Sequence, residues 1–408
     1  MMEILFLAHR IPFPPDRGDK IRSHHVLRCL SALAQVHLGC FADDPEDRAC
    51  EGDLAAMATS HLLLERRKSL PVAGLEALAG GLPISVTAFR DRRMARWVEK
   101  TLQARPIGAI YLFSGQMGQY VPDGFSGRVI ADLVDVDSAK FEAYGAAGRG
   151  FRAWMERREG RLLRAEESRI ARRSHTTLLV SEAEAALFRQ RLDDPRCAVA
   201  ALGNGIDSAV YHPAAVIPEP AMAGWPAPRL VFTGQMDYAP NIAAAERAIS
   251  RIMPLVRKRF PGASFHVVGR NPPPSLTRHD GQDGIRIWGR VADVRPFLAA
   301  ADMALVPLEI ARGVQNKVLE AMSMGLPVVL SPGAATGIGA QDGREFLVGT
   351  DDAALAEAIC ALAGAPSRAR SIGLAARGWV DAHAGWPAAL AGLPALLGLS
   401  KPGISDAA

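Results

Sequence analysis

Short apolar runs alternate along this chain with longer segments of helical period, and the alternation restarts halfway along the sequence. This pattern is typical of parallel sheets whose two faces are covered by helices. In the first half we predict strands at residues 3–9, 36–42, 108–113, 128–136 and 176–181. In the second half we predict strands at residues 230–235, 264–269, 285–289, 303–308 and 327–331. The predicted fold class is therefore α/β, with two Rossmann-like domains, each a doubly wound parallel sheet.

A segment dense in proline and alanine, residues 213–228, lies between the two patterns and has the composition of a linker. A chain of 408 residues is also too long for one ordinary core. We predict an N-terminal domain of residues 1–205 and a C-terminal domain of residues 206–377. A last helix at about 378–400 is expected to pack back on the first domain. The carboxyl ends of the two sheets are expected to face each other across a cleft, where open α/β folds bind ligands.

Composition and charge exclude several classes of protein. The net charge is only +4, whereas binding to nucleic acid normally needs a dense basic face, so we predict no nucleic-acid partner. The five cysteines are scattered, without the close pairs of a zinc or redox site, as expected in a reducing compartment. The first apolar run meets Arg10 too soon for a signal peptide, and no apolar stretch is long enough to span a bilayer. We predict a cytoplasmic protein.

Residues 152–173 carry eight arginines and four glutamates in a pattern typical of one long helix. Two interpretations are open. The segment is either a solvated helix held by ion pairs at three- and four-residue spacing, or a helix that docks on anionic lipid headgroups. In the second case the protein would lie at the inner face of the cell membrane.

The segment with the most candidate binding residues runs from Arg312 to Ser331. A loop follows a strand, a helix begins near Gln315, and Gly325 ends it before the next buried strand. The N-terminus of a helix presents unpaired backbone N–H groups and a partial positive charge, which suits a diphosphate. Lys317 lies in this helix, and Glu320 follows one turn later, where a carboxylate can bind ribose hydroxyls. The alternative is an ordinary amphipathic helix.

Two further groups of polar residues follow predicted strands. Asp132, Asp135 and Asp137 lie at a strand end, where they either cap a polar terminus or bind a sugar or an acceptor. Arg270 lies in a proline-rich loop, where it either contacts a phosphate or forms a structural ion pair. No spacing typical of metal ligands occurs, so we expect a reaction that needs neither metal nor cofactor, with cationic groups stabilising a leaving diphosphate.

Five segments together carry a resemblance to a known family: residues 181–188, 204–207, 232–241, 289–308 and 312–331. With them the chain resembles glycosyltransferase family 4, whose members are retaining enzymes of the GT-B fold. The N-terminal AHRIPFPPDRGDKIRSHH and the later ADLVDVDSAKF resemble the sugar transferases associated with PEP-CTERM exopolysaccharide systems. The resemblance implies transfer of a hexose-type unit from a UDP- or GDP-sugar, with retention, to a saccharide or lipid-linked saccharide. It also implies that the first domain holds the acceptor and the second the donor.

The resemblance also assigns roles to residues. It implies that Glu320 holds the donor ribose, that the backbone near Arg290 and Val291 receives the base, and that the Gly18 loop closes over the phosphates. The remaining predicted donor contacts are Gly234, Arg270, Gly313 and Val314. The predicted acceptor contacts are Asp19, Lys20, Asp135 and Asp137.

Two departures from the family pattern change the expected catalytic residues. The family often has a glutamate near the transferred sugar, eight residues before the ribose-binding one, and here that position is Arg312. The usual Arg and Lys after the first strand of the second domain are missing from FTGQMDYAPN. We therefore expect Arg312 and Lys317, with Arg270, to supply the charge that binds the diphosphate. Glu309 is the nearest upstream carboxylate that can replace the missing one, and it completes the predicted catalytic set.

Other activities remain to be weighed against glycosyl transfer. A nucleotide-sugar 2-epimerase of the same fold needs a donor site but no acceptor. A non-catalytic protein that only binds a nucleotide sugar is another interpretation, because Arg312 occupies a position where the family often has glutamate. An NAD-dependent oxidoreductase is not expected, since AHRIPFPPDRGDK after the first strand lacks the glycine fingerprint of a dinucleotide site.

Overall fold

The structure, a computed structural model, describes residues 2–309 and 314–399, apart from the side chain of Ala147. The chain forms two compact units. Unit 1 runs to Asn204 and resumes at Ala389, and unit 2 comprises Gly205–Ala388. Each unit contains its own parallel sheet and its own apolar core.

The described part of unit 1 contains a seven-stranded sheet with the order β3-β2-β1-β4-β5-β6-β7, and all neighbouring strands are parallel. The strands are β1 (Glu3–Ala8), β2 (Val36–Ala42), β3 (Ser60–Glu65), β4 (Ile107–Phe113), β5 (Arg128–Val134), β6 (Thr176–Leu179) and β7 (Val199–Ala201). Every residue of β1 and β2 is buried, as expected for central strands covered on both faces. The strand order reverses between β1 and β4, and such a switch point is where doubly wound sheets bind ligands.

Helices cover this sheet. They are α1 (Gly18–Ser31), α2 (Pro45–Ala49), α3 (Glu51–Met57), α4 (Leu70–Gly80), α5 (Ile84–Thr87), α6 (Arg92–Ala104), α7 (Asp137–Ala147), α8 (Gly150–Arg173) and α9 (Glu182–Arg191), with a 3-10 helix at Gly115–Tyr120. Side-chain caps fix several helix starts. For example, the Ser181 hydroxyl accepts a hydrogen bond from the backbone N–H of Glu184 at the start of α9.

The described part of unit 2 repeats this plan with six parallel strands in the order β10-β9-β8-β11-β12-β13. They are β8 (Arg229–Thr233), β9 (Ser264–Val268), β10 (Ile285–Gly289), β11 (Met303–Val306), β12 (Val328–Leu330) and β13 (Leu347–Val348). The switch point lies between β8 and β11. Its helices are α10 (Pro220–Ala223), α11 (Ala239–Arg247), α12 (Met253–Arg259), α13 (Pro274–Thr277), α14 (Arg295–Ala300), α15 (Asn316–Ser323), α16 (Pro332–Ala335), α17 (Asp352–Ala363) and α18 (Pro366–His383). A 3-10 helix (Pro213–Ala215) precedes α10, and a π-helical turn (Ala248–Ile252) joins α11 to α12.

The end of the chain differs from the sequence expectation of one helix at about 378–400. Helix α18 ends at His383, and two short helices follow, α19 (Trp386–Ala389) and α20 (Leu393–Leu396). Pro387 and Pro394 each lie in the first turn of a new helix, where proline is tolerated but cannot continue a preceding one. The chain returns to unit 1 at Ala389, and there the Arg128 guanidinium donates to the Leu396 carbonyl oxygen (3.3 Å). None of the described helices is both apolar and long enough for a bilayer span.

Candidate active site

The carboxyl edge of the second sheet contains two glycines that allow a close approach of chain segments. Gly234 directly follows β8 and Gly269 directly follows β9. A Cβ atom on Gly269 would lie 1.6 Å from the carbonyl oxygen of Gly234, so only glycine lets the two segments cross there. A Cβ atom on Gly234 would lie 3.0 Å from Nζ of Lys317, so this glycine leaves room for the ammonium group.

Lys317, in the first turn of α15, points its ammonium group toward the end of β8. Its Nζ donates to Oδ1 of Asn241 at 2.5 Å and lies 4.5 Å from the ring centroid of Phe232. Burial lowers the pKa of Lys317 to about 8, although the charge of Glu320 acts to raise it. The ammonium is therefore desolvated and incompletely compensated, and a nearby anion would stabilise its charged form.

Glu320 follows on the same helix, one turn after Lys317. The Tyr211 hydroxyl donates a hydrogen bond to its carboxylate. Burial raises the pKa of Glu320, and this hydrogen bond and the charge of Lys317 act in the opposite direction. Tyr211 is itself fixed through its backbone carbonyl, which accepts from the Ser323 hydroxyl (2.9 Å) and the Arg377 guanidinium (3.1 Å). These contacts fix the position of Tyr211 beside the Glu320 carboxylate.

The N-terminus of α15 lies beside these two side chains. Gln315 precedes the helix in an extended conformation, and within the described residues no side chain caps the first turn. Its first N–H groups therefore suit an anion, as the sequence predicts. Val314 is exposed. Arg312 and Gly313, predicted to contact the donor, lie outside the described residues, and their roles stay predictions.

Glu309, the predicted replacement for the missing glutamate, is largely exposed at the end of β11. Its carboxylate lies 3.5 Å from the Arg251 guanidinium. Lys317 instead contacts Asn241, so the two predicted catalytic residues have different partners within the described residues. The catalytic role of Glu309 stays a prediction.

The other predicted donor contacts follow β9 and β10. The carbonyl oxygen of Arg270 accepts from the backbone N–H of Met236 (2.9 Å), which joins the two loops, while its side chain is exposed. Arg290 is exposed too, and Val291 packs partly against the core of unit 2. These loops share the carboxyl edge of the sheet with Gly234.

At the carboxyl end of β1, the predicted acceptor contacts lie within a network of ion pairs. Asp19 lies in the first turn of α1, which begins at Gly18, and its carboxylate accepts from Arg10 at 2.6 Å. Burial would raise the pKa of Asp19, but hydrogen bonds from His9 and Arg10 hold it well below its ordinary value. Lys20 is buried, and its ammonium donates to Asp47. Lys20 is thus already paired, and Asp19 is the more accessible of the two.

The end of β5 contains a buried network that involves Asp132. The Asp132 carboxylate accepts from Nε and Nη2 of Arg22 at 2.9 and 3.0 Å, and from the Tyr111 hydroxyl at 2.7 Å. The same guanidinium donates to Oδ1 of Asn204 at 2.9 Å. Asp132 is therefore satisfied within unit 1 and has a structural role there.

Asp135 and Asp137 are arranged differently. The pKa of each is raised, first by desolvation and then by negative neighbours, namely Glu184 for Asp135 and Asp135 for Asp137. The charge of Lys140 acts in the opposite direction at both residues but does not cancel the shift. Close by, buried Glu167 accepts from the Ser138 hydroxyl (2.5 Å) and backbone N–H (2.9 Å), and burial raises its pKa to about 7.

A comparison with known protein families finds a match in the second unit. Residues 227–364 match the family model described as Glycosyl transferases group 1. This segment covers about a third of the chain and contains Gly234, Lys317 and Glu320. No curated protein sequence matches the chain significantly.

Solved structures match over nearly the whole chain. HepE (Alr3699) from Anabaena, in complex with UDP and glucose, has a TM-score of 0.57 and 14% identity, covering 98% of this chain and 100% of that one. Sucrose-phosphate synthase from Thermosynechococcus elongatus has a TM-score of 0.59 and 17% identity, covering 97% and 98%. WaaG, a glycosyltransferase involved in lipopolysaccharide biosynthesis, has a TM-score of 0.55 and 17% identity, covering 97% and 100%. The likeness shows that this chain has the GT-B fold, which confirms the predicted fold class. With the family model, it supports a GT-B glycosyltransferase.

Sequence reasoning missed the partners that fix the GT-B site in place. Tyr211, which bonds to Glu320, lies just before the segment interpreted as a linker, residues 213–228, and the sequence predicts no role for it. Arg22 lies in α1, and its immediate sequence neighbours do not distinguish it from a surface arginine. The amphipathic period of that helix offers one usable signal, because Arg22 and Val26 share its buried face.

Proposed function

We propose that this protein transfers a sugar from a UDP- or GDP-sugar to an acceptor saccharide, with retention at the anomeric carbon. The observation that carries the proposal is the pair Lys317 and Glu320 on α15. Both are partly desolvated, both have shifted pKa values, and both lie at the switch point of the second sheet. The match to the group 1 model spans this region, and the HepE structures contain UDP, UDP with glucose or UDP-glucose.

In this proposal the donor binds to unit 2. The Lys317 ammonium and the N–H groups of α15 bind the diphosphate, and Arg312 and Arg270 add further positive charge. Glu320 accepts hydrogen bonds from the ribose hydroxyls. As the bond to the sugar breaks, negative charge grows on the diphosphate, and a cation in a water-poor site stabilises that charge far better than one in bulk water. No metal ion is required for this step.

For the acceptor we propose a lipid-linked saccharide in exopolysaccharide biosynthesis at the inner face of the cell membrane. Asp135 and Asp137, with Asp19, would accept hydrogen bonds from acceptor hydroxyls. The acceptor oxygen would attack from the face of the leaving group, and its proton would pass to the departing phosphate. WaaG, one of the structural neighbours, is a glycosyltransferase involved in lipopolysaccharide biosynthesis.

Calorimetric titration with UDP and with GDP tests the donor site. Glu320→Gln keeps the size of the side chain and removes its charge, so binding should weaken by about 1.5–3 kcal/mol. Glu357→Gln, at an exposed glutamate paired with Arg259 on the surface of the same unit, is the matched control and should bind as wild type does. Equal affinity of both variants for the preferred nucleotide would place the ribose elsewhere.

A second measurement separates transfer from the alternative activities. The protein is incubated with the preferred nucleotide sugar, with and without a lipid-linked saccharide acceptor. Release of nucleoside diphosphate together with a longer saccharide supports transfer. Conversion of the donor sugar without any acceptor would indicate a 2-epimerase instead, and tight donor binding without turnover would indicate a binding protein.

A further inference from the structure

Helix α4 presents an unusually apolar outer face. Leu70, Val72, Leu75 and Leu78 are exposed by 66%, 47%, 70% and 53%, whereas the buried residues of the same helix are small alanines. The helix carries one charged residue, Glu76, whose carboxylate accepts from the Lys68 ammonium (2.6 Å). A helix whose large apolar side chains point outward is the reverse of the usual arrangement in a globular domain.

A second apolar group is exposed at the start of α8. Phe151 and Trp154 are exposed by 73% and 47%, and their rings stack with centroids 5.6 Å apart. Tyr144, near the end of the preceding helix α7, is half exposed as well. Exposed aromatic side chains with a polar tip are typical of contacts at a membrane–water interface.

One arginine joins these two groups. The Arg158 guanidinium donates to the carbonyl oxygens of Ala77 (2.9 Å) and Leu82 (3.2 Å), at the C-terminal end of α4. Trp154 lies one turn before Arg158 on the same face of α8, because residues four apart share a helix face. This contact joins the C-terminal end of α4 to α8, whose exposed aromatic residues lie one to two turns earlier. We name this region the α4–α8 surface, comprising Leu70, Val72, Leu75, Leu78, Phe151 and Trp154.

The charges around the α4–α8 surface are mostly positive. Residues 66–80 and 149–161 contain eight lysines and arginines and three glutamates. Two of these glutamates pair with cations, and the third, Glu159, bonds to the backbone N–H groups of Ile84 and Ser85. Among the cations, Arg66 pairs with Asp43 and Arg67 with Glu65, both outside these ranges. Arg149 and Arg161 are exposed. An apolar centre with a positive rim complements a bilayer that contains anionic lipids.

Three later arginines of α8 have a different role. Arg164 donates to the Arg191 carbonyl oxygen, Arg169 to the Gly118 carbonyl oxygen, and Arg173 to the Val121 carbonyl oxygen. They tie the helix to the rest of unit 1. Lipid docking by the whole of residues 152–173 therefore does not fit these contacts, and the first turns of α8 are the part that is suited to lipid.

We infer that the α4–α8 surface docks unit 1 on a membrane that carries anionic headgroups. This inference rests on the proposed function for its purpose, which is to bring the enzyme to a lipid-linked acceptor. A second copy of the chain fits less well, since a symmetric contact would place two positive rims opposite each other. On a bilayer, the leucines and aromatic rings would insert below the headgroups while the arginines pair with phosphate.

Flotation with vesicles tests the inference. The full chain is mixed with vesicles of phosphatidylcholine alone, or with about 30% phosphatidylglycerol. We expect at least about tenfold tighter binding to the anionic vesicles, weakened by salt. Leu75→Glu with Leu78→Glu should lower that binding at least about tenfold, because both side chains would leave the apolar layer. The matched control is Leu374→Glu with Ile217→Glu, at exposed apolar residues of unit 2, which should bind nearly as wild type does.

Three results would overturn the inference: equal binding to both kinds of vesicle, no binding to either, or equal loss in the two double variants. Gel filtration tests the alternative that a second copy of the chain binds to this surface. A dimer that Leu75→Glu disrupts would identify the surface as a contact between copies. UDP affinity is measured on the same proteins and should be unchanged in both double variants. Failure of wild type to bind either UDP or GDP would refute the proposed donor site and leave the vesicle result standing.

Discussion

The pKa of Lys317 makes donor binding depend on pH in a predictable direction. Burial lowers that pKa to about 8 in the free protein. A diphosphate beside the ammonium would stabilise its charged form and return its pKa to about 10.4 or above. Binding above pH 8 therefore requires uptake of a proton, and the dissociation constant should rise with pH.

The size of the effect follows from these two pKa values. At about pH 7 most Lys317 side chains are charged, whereas at about pH 9 roughly one in ten is. Affinity for the nucleoside diphosphate should thus fall about tenfold between these pH values, or about 1.4 kcal/mol. The second ionisation of a phosphate group, near pH 6, lies below this window.

The assay is calorimetric titration with UDP or GDP at several pH values, in pairs of buffers with different ionisation enthalpies. At about pH 9 wild type should take up close to one proton for each nucleotide bound. Lys317→Arg should remove most of this dependence, because a guanidinium stays charged throughout the range. Lys258→Arg, at an exposed lysine of α12, is the matched control and should retain the wild-type profile. Titration of the nucleotide itself is common to all three proteins and cancels in the comparison.

A wild-type profile that matches that of Lys317→Arg would refute the reasoning. It would mean that Lys317 is charged at every pH tested, or that it lies too far from the diphosphate to respond to it. A large loss of affinity in Lys317→Arg at pH 7, with the slope retained, would assign the titration to another group.

Two further predictions concern the stability of each unit. Asp132→Asn leaves the buried Arg22 guanidinium without its carboxylate, and it should lower the free energy of unfolding of unit 1 in urea by about 3–5 kcal/mol. Asp123→Asn is the control, at a carboxylate that is 99% exposed, and it should lower that free energy by less than about 1 kcal/mol. Gly269→Ala places a methyl group 1.6 Å from a backbone oxygen and should cost unit 2 about 1–3 kcal/mol or more, with weaker nucleotide binding. Gly378→Ala, in helix α18 with open space around the new methyl group, should be neutral or stabilising by up to about 1 kcal/mol; equal effects in the two glycine variants would contradict the argument.

The sequence predicts the central strands of both sheets because they are mostly apolar, as the continuous apolar runs of β11 and β12 show, and burial on both faces requires that. It misses three edge strands: β3, β7 and β13. Strand β13 has only two residues. Strand β7 has three, and none of the three β7 residues is buried. At the edge of a sheet only one neighbouring strand constrains the composition, so the apolar signal is weak.

The candidate site also has a part that the sequence predicts and a part that it does not. The order of Lys317 and Glu320 on one helix is local, so the helical period places them on neighbouring turns. Contacts between distant segments have no such signal. Arg22 and Asp132 are separated by 110 residues, and nothing in either local sequence marks them as partners. Tyr211 is 109 residues before Glu320, and the sequence around it, Ser208–His212, indicates no partner for that carboxylate.

Two pairs of charged residues, Asp19 with Lys20 in unit 1 and Lys317 with Glu320 in unit 2, differ in how well the protein satisfies their charges, and this difference favours donor binding in unit 2. In unit 1, Asp19 already accepts from Arg10, and Lys20 already donates to Asp47. In unit 2, burial shifts the pKa values of Lys317 and Glu320 toward their neutral forms, so the partners within the protein do not make up for the lost water. A ligand that brings a phosphate to the Lys317 ammonium and hydroxyl donors to the Glu320 carboxylate replaces the lost hydration of both groups. Sites with such perturbed groups are where function concentrates, and a nucleoside diphosphate supplies both kinds of partner in one molecule.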